Sequence, residues 1–592
     1  MRKKTSSKYM LVLLTAVVFS LFFSERAIAA SVETPQETVT ESVIASEEAV
    51  AEDSQNYAAG TTGAVLENGV YVYYENGVRA EKTGLAKAVD GTGWYYMANG
   101  VHDSSAEGIC KRIDGVGSWF YVRDGKYRTD LSGIAKKVDR TGGWYYVKNG
   151  VYNTSATGIS KKIDGTGGWY YVKNGVYNTN VTGIAKRVDG VGGWYYVKNG
   201  VYKTNVTGIA KRADGVGGWY YVKNGVYNTN ATGIAKKADG TGGWYFVYKG
   251  VYKTDATGIA KKADGTGGWY YVKNGVYKTN VSGICQKAYS TDSRWYYVQN
   301  GVYKSTASGI AKLTSGEAGW YYVRNGVYRP GASGIAKKAD GSSDTWFYVN
   351  GGMYDTGYTG LARKADCSSE TQFYVVNGIF TKSNIASYEY QSGTYKITNG
   401  VASLQSGYRD LWIQDYGYTY VENDGYVDVY CCLKVKNTDT KHPCDGELQV
   451  TSYDSSENVI ETSTDYIQSI AAGDSIYCTL HFSYEGEEPA YIGWTITWWF
   501  DDTLDVAKSS TFSLTNTSQY KYDYYSKYTG NIKNSNSSDK AVLVTVVYYK
   551  DGRIVGGYHQ SYTAYANTTT PFSMSVYDEP DYDSYKLFVS QY

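Results

Sequence analysis

The chain is poor in the residues that mark many familiar architectures. Proline occurs 6 times in 592 residues, which excludes collagen-like helices and Pro-rich spacers. Histidine occurs four times, at His102, His442, His481 and His559, and none stands at metal-ligand spacing. No Gly-x-Ser-x-Gly, His-Glu-x-x-His or phosphate-loop pattern is present. The sequence therefore offers no catalytic residues, no metal ligands and no cofactor site, and we expect a non-enzymatic protein. Long apolar runs are confined to Met10–Phe23. What the chain has instead is 68 Gly and 66 Tyr. Tyr and Gly with little Pro predict many short aromatic strands joined by Gly turns.

Residues 1–30 read as a signal peptide. A basic start (Arg2, Lys3, Lys4, Lys8) precedes the apolar run, and Ala27-Ile28-Ala29 gives a small-x-small cleavage pattern. Fourteen residues are short for a span of roughly 20, so no stable membrane span is expected after cleavage. The expected location is secreted or at the cell surface, held to the wall non-covalently. Residues 31–60 form an acidic linker of disordered composition, with seven acids and no base before Tyr57.

The net charge of +1 averages two opposite bodies. Residues 58–383 carry 41 bases and 23 acids, whereas 384–592 carry 13 bases and 27 acids.

The basic body repeats. Trp94, Trp119, Trp144, Trp169, Trp194, Trp219, Trp244 and Trp269 lie 25 residues apart, and Trp295, Trp320 and Trp346 continue the series. Twelve Gly-(Ile/Leu)-x-(Lys/Gln/Arg) tetrads, from Gly84 to Gly360, keep the same period. Such self-similarity is the signature of a repeat array, here over 61–383. Within a unit, Asn174-Gly175 separates two aromatic or β-branched runs, as a two-residue type I′ hairpin requires. Asn-Gly recurs at Asn149, Asn199, Asn224, Asn274, Asn300, Asn325, Asn350 and Asn377, and Asp164-Gly165 marks a second turn. Alternation puts Trp169, Tyr171 and Val176 on one face, and Tyr170, Val172 and Tyr177 on the other. Both faces are apolar, so the units are expected to bury them by stacking into a β-hairpin solenoid.

These units resemble the Trp/Tyr-rich cell-wall-binding repeats of Gram-positive surface proteins, the choline- and glucan-binding superfamily, in a Gly-(Leu/Ile)-Ala-Lys variant. The Trp-Tyr-Tyr at Trp144–Tyr146 carries the likeness. The family's second aromatic, a Trp after the first Gly, is replaced by Ile134 and Ile184. The resemblance implies the stacked hairpins and a wall polymer or glycan as partner. Ligand-binding candidates are the aromatics Trp144, Tyr146, Trp169, Tyr171, Trp194, Tyr196, Trp219 and Trp269. To these we add the periodic bases Lys136, Lys137, Lys161, Lys162, Lys186 and Arg187. Bases on strand edges also serve to block edge-to-edge pairing. Nucleic acid is not expected as a partner of an exported chain without a known nucleic-acid module.

After residue 383 the period stops, and 384–404 reads as a linker. Short β-type runs beyond it indicate β-sandwiches at 405–505 and 510–592. Val435-Lys436-Asn437 resembles Ile532-Lys533-Asn534, and Tyr453–Ile460 resembles Tyr549–Val555. This pattern is similar to Ig-like FxLYD-type domains of exported bacterial proteins, so the fold class is all-β: a hairpin solenoid followed by Ig-like sandwiches. Cys110 and Cys285 take a small-residue position of the tetrad, while Cys431 or Cys432 with Cys478 could bridge two sheets. Function then reads as wall attachment through the array, with 405–592 displayed for adhesion to a host or bacterial surface protein. The alternatives are a stalk without a ligand, or an enzyme in 384–592.

Overall fold

The computed structural model describes residues 57–592 except 392, 424, 455–457 and 502. The signal peptide and nearly all of the acidic linker lie outside the described residues. Among those described, the chain is all-β apart from one turn of 3-10 helix at Ser509–Thr511.

The repeat region forms one continuous sheet of 42 strands that runs through residue 407. A representative unit has three strands. Gly158–Ser160 pairs antiparallel with Tyr170–Lys173, which pairs in turn with Val176–Tyr177. Asn174 and Gly175 both have positive φ, 51° and 76°, the type I′ geometry that turns the chain without splaying the strands. At Asn350 the turn slips by one residue: Gly351 and Gly352 take the positive-φ positions and Asn350 stays in its strand.

Neighbouring units are joined by backbone. Ile159 N–H donates to Lys186 O (2.8 Å) and Val188 N–H donates to Ile159 O (3.1 Å). Tyr171 N–H donates to Gly200 O (2.8 Å) and Tyr202 N–H donates to Trp169 O (2.9 Å). This close approach explains the glycine of the tetrad. A Cβ on Gly158 would sit 2.7 Å from Lys186 O, at φ 144°. Side chains interlock over the same junction. Ile159 and Tyr171 pack with Ala185 and Val197 of the next unit, and Ala213 of the unit after that closes the cluster. Each core is thus shared among three units, and none could bury its apolar face alone. Cys110 and Cys285 fill the buried alanine position of that core.

The alternation expected for the hairpin holds, with Trp169 and Tyr171 in one core cluster, Tyr170 and Val172 in the preceding one and Val172 opposite Tyr177, but burial along each face is uneven. In most units the central strand begins one residue after Trp. Tyr171 is buried, Trp169 is half-buried and Val176 is 36% exposed.

Residues 384–404, read as a linker, contain strands. Ile385–Tyr390, Gly393–Thr398 and Val401–Gly407 extend the sheet, with Val401 opposite Phe373. Tyr395 and Ile397 bury against Leu361, which gives this segment the apolar face that a linker lacks. Gly400 O accepts from Tyr374 N–H, and Ala402 N–H donates to Gln372 O. These bonds reproduce two of the inter-unit links. The Tyr358 hydroxyl donates to Leu361 O, a carbonyl whose counterpart in earlier units bonds the following unit.

Twelve strands follow, numbered here β1 to β12. Leu411–Asn423 (β1), Tyr426–Asn437 (β2), Cys444–Tyr453 (β3), Val459–Ile470 (β4), Ser475–Glu485 (β5) and Tyr491–Phe500 (β6) form two sheets, β1-β2-β5 and β4-β3-β6. Phe512–Lys521 (β7), Tyr525–Asn534 (β8), Lys540–Lys550 (β9), Arg553–Ala564 (β10), Thr569–Tyr577 (β11) and Ser584–Gln591 (β12) repeat that order as β7-β8-β11 and β10-β9-β12. Both sets have the form of small β-sandwiches. The duplicated Asn plays one role in both. Asn437 donates to His442 O and Ile470 O, and Asn534 donates to Ser538 O and Ala564 O.

The proposed bridge from Cys431 or Cys432 to Cys478 is not formed; all seven cysteines are free thiols. The reason is topological. β2 and β5 are neighbours in one sheet, with Cys478 opposite Leu433, so neither Cys431 nor Cys432 meets Cys478 across the sandwich. Burial pushes the Cys431 thiol up to about 12, which keeps it protonated and unreactive.

The sandwiches fold back onto the array. Ile310, Tyr322 and Val349 share a core with Leu411, Tyr416 and Val435. The basic array meets the acidic head directly: Arg324 pairs with Asp415 at 3.3 Å, and Arg363 pairs with Asp410. The two sandwiches also touch closely. A Cβ on Gly417 would lie 1.8 Å from Ile554 O.

Candidate functional site: the aromatic and basic ladder

The tetrad places two basic residues per unit at the start of the loop that leads to Trp. The first, Lys161, is exposed; the second, Lys162, is half-buried. Their ammonium groups go to different places. Lys161 reaches Trp169 of its own unit at 5.6 Å from the ring centre. Lys162 reaches back to Trp144 of the preceding unit at 4.7 Å, and lies 5.8 Å from Tyr170 of its own.

The pattern recurs along the array. Trp144 has Lys136 at 5.5 Å and Lys162 at 4.7 Å; Trp169 has Lys161 and Arg187, the latter at 4.6 Å. Trp194 has Lys186 and Arg212, Trp219 has Lys211 and Lys237, and Trp269 has Lys261 and Lys287. Lys137 lies between Trp119 and Tyr145. Each of these tryptophans therefore carries two cations, one from its own unit and one from the next. A cation within about 6 Å of an indole contributes roughly 0.5–1 kcal/mol when exposed, so the ladder both holds the units in register and fixes the basic side chains.

Carboxylates complete the arrangement. Arg187 pairs with Asp189 and Arg212 with Asp214. The Thr241 backbone N–H and hydroxyl, with the Lys237 ammonium beside them, hold the Asp239 carboxyl below its usual range. Asp264 is held low in the same way by Thr266 and Lys262.

The sequence-level candidates divide. Trp144, Trp169, Trp194, Trp219 and Trp269 line the ladder and are half-buried, with Lys136, Lys137, Lys161, Lys162, Lys186 and Arg187 beside them. Tyr146, Tyr171 and Tyr196 do not line it. They are core residues, 5%, 1% and 1% exposed, because the first tyrosine after Trp begins the strand and the second points inward. The residues missed are the first tyrosines, Tyr145, Tyr170 and Tyr195. Each packs edge-to-face on a hairpin tyrosine, as Tyr170 does on Tyr177 at 5.4 Å. Their 25-residue recurrence and their face, shared with the hairpin tyrosine, were visible; that this face lies beside the tryptophan of the preceding unit was not.

Elsewhere, a cavity of about 190 Å³ lies between the last repeats and the first sandwich, with Arg363, Gln372, Asp410 and Trp412 in its wall. Asp410 is already engaged by Arg363 and Gln372. His102, His481 and His559 are pushed below the usual histidine range, in each case first by burial. Among the described residues no cluster of His, Cys, Asp and Glu could hold a metal ion, and no helix is long and apolar enough to cross a membrane.

A family model described as the choline-binding repeat matches eight stretches of the chain: 81–103, 139–153, 163–178, 180–201, 205–228, 255–276, 288–302 and 313–327. No curated protein matches the chain. The matched stretches fall on hairpins of the array described above, and within residues 81–327 these hairpins are of the choline-binding-repeat type.

Proposed function

We propose that this is a secreted, non-enzymatic surface protein that attaches to cell-wall polymer through its repeat array and displays the two sandwiches for adhesion to a host or bacterial surface protein. The match to choline-binding repeats supports association with a choline-containing wall polymer or related glycan. The observation that carries the reading is the row of exposed first lysines, Lys161, Lys186, Lys211, Lys236 and Lys261, repeated at one position per unit. Weak contacts at that spacing add through effective concentration, without any single strong site. Export is supported by the basic, apolar and small-residue order of residues 1–30. An Ig-like assignment for the sandwiches is supported by their common strand order and by the paired roles of Asn437 and Asn534.

Sedimentation of the full mature chain with purified walls, over a salt series, tests the attachment. Retention at low salt that falls steeply as salt rises is expected. No retention at low salt would leave the second reading, a stalk without a ligand. That reading has its own support: the tryptophan faces are already covered by the chain's cations.

A further inference from the structure

Between every pair of central units the same slot recurs. One wall is the tryptophan of the earlier unit and the other is the first tyrosine of the later unit. A carboxylate follows two residues after the later unit's second base. For one junction these are Trp144, Tyr170 and Asp164; for another, Trp219, Tyr245 and Asp239. Two electron-rich rings and an acid are the surroundings in which an organic cation is bound. In this chain the slot already holds one. Lys162 lies 4.7 Å from Trp144 and 5.8 Å from Tyr170. Lys237 lies 5.1 Å from Trp219 and 5.7 Å from Tyr245, and Lys262 lies 5.2 Å from Trp244 and 5.9 Å from Tyr270. Where the base is Arg187 or Arg212, the guanidinium stacks at 4.6 Å on the earlier tryptophan and pairs with the acid.

We propose that the second base of each unit is a resident cation that closes the inter-unit slot to quaternary ammonium groups, so the polymer held by the array is recognised through its anionic groups at the exposed first lysines. This rests on the reading that the array binds wall polymer, and it names what that polymer presents. The division of labour follows from position. The second base is tied by its backbone to the preceding unit (Ile134 opposite Lys162, Ile159 opposite Arg187), which starts its side chain at the mouth of the slot. The first base has no second ring against it and its ammonium stays in solvent.

The test uses the full mature chain and choline chloride, titrated calorimetrically against matched sodium chloride. The unsubstituted protein should show no saturable heat. Lys162→Ala should gain one choline site, and the fourfold variant Lys137→Ala, Lys162→Ala, Lys237→Ala, Lys262→Ala should gain four. Lys161→Ala, which leaves the slot filled, should gain none. Circular dichroism of the single variant establishes that its array is folded. Saturable choline binding by the unsubstituted protein overturns the proposal, as does a folded Lys162→Ala that gains no site. In the wall assay, choline should release no more unsubstituted protein than the same concentration of sodium chloride; additional release also overturns it. Failure to sediment with walls at all, beside the expected choline titrations, removes the attachment and leaves the closed slot standing.

Discussion

At the scale of single residues, the array spends its glycines and asparagines where the backbone demands them. Every hairpin turn of the array needs two positive-φ residues, and Lys249 takes the first, at φ 49°, where the other units have Asn, Asp or, at 351, Gly. A left-handed conformation costs an ordinary L-residue roughly 1–2 kcal/mol, and Asn relieves part of it. Lys249→Asn is therefore expected to stabilise the protein by about 0.5–1 kcal/mol, read as a raised midpoint in denaturant with an unchanged slope. Asp292 is a second informative residue. Burial alone would raise its carboxyl, but the Arg294 guanidinium, the Lys287 ammonium and the Tyr296 hydroxyl outweigh that and hold it well below the usual range. A depressed folded value means stability that is present above the unfolded value of about 3.9 and lost as pH falls through the folded one. Asp292→Asn should thus be less stable than the parent by a constant margin from pH 7 down to about 4, a gap that narrows only below that. Thermal midpoints across that range check the shape. A margin that vanished near neutral pH would contradict the assignment.

At the scale of elements, the two sandwiches show how a short sequence echo becomes structure. Asn534 ends β8, and its amide nitrogen donates to Ser538 O and Ala564 O while its oxygen accepts from Asn536 N–H. It is 1% exposed, so removing it leaves buried backbone groups without partners. Such groups cost about 1–3 kcal/mol each, and Asn534→Ala should destabilise the protein by at least about 2 kcal/mol, measured by chemical denaturation. The hairpins were equally legible, because Asn-Gly at a fixed period states both the turn and its register. Residues 384–404 were not, because they lack the Trp and tetrad of the period, although Tyr395 and Ile397 alternate inward with Lys396 and Thr398 outward. The cysteines misled for a different reason. Sequence shows that Cys431 and Cys478 belong to strands, and only topology shows that those strands are sheet neighbours. The ladder was half legible: the periodic Trp and Lys were evident, but which tryptophan each lysine covers depends on the stagger between units.

At the scale of the whole molecule, contacts between neighbouring units dominate the array. Deleting one complete period, residues 183–207, joins a unit to one of the same design and restores all four backbone links of the junction. The shortened protein should fold, with a thermal midpoint within a few degrees of the parent, whereas a deletion of about half a period should not fold. The docking of the head on the array was invisible in the sequence, since it depends on which faces of Ile310 and Tyr322 remain after the units have stacked. It also brings the two charge signs together, because Arg324 and Arg363 meet Asp415 and Asp410 where the two bodies join.

The strand segment at 385–407 bears on how the array ends. A stack of like units presents at its last member the surface that would accept another, so two copies of the chain could in principle polymerise end to end. Here Val401–Gly407 occupies the pairing positions beside Phe373, and the Tyr358 hydroxyl satisfies Leu361 O. The growing end is closed from within the same chain. The number of ladder rungs is consequently a property of the gene product rather than of its concentration, and the valency with which one molecule meets a surface is set when it is synthesised.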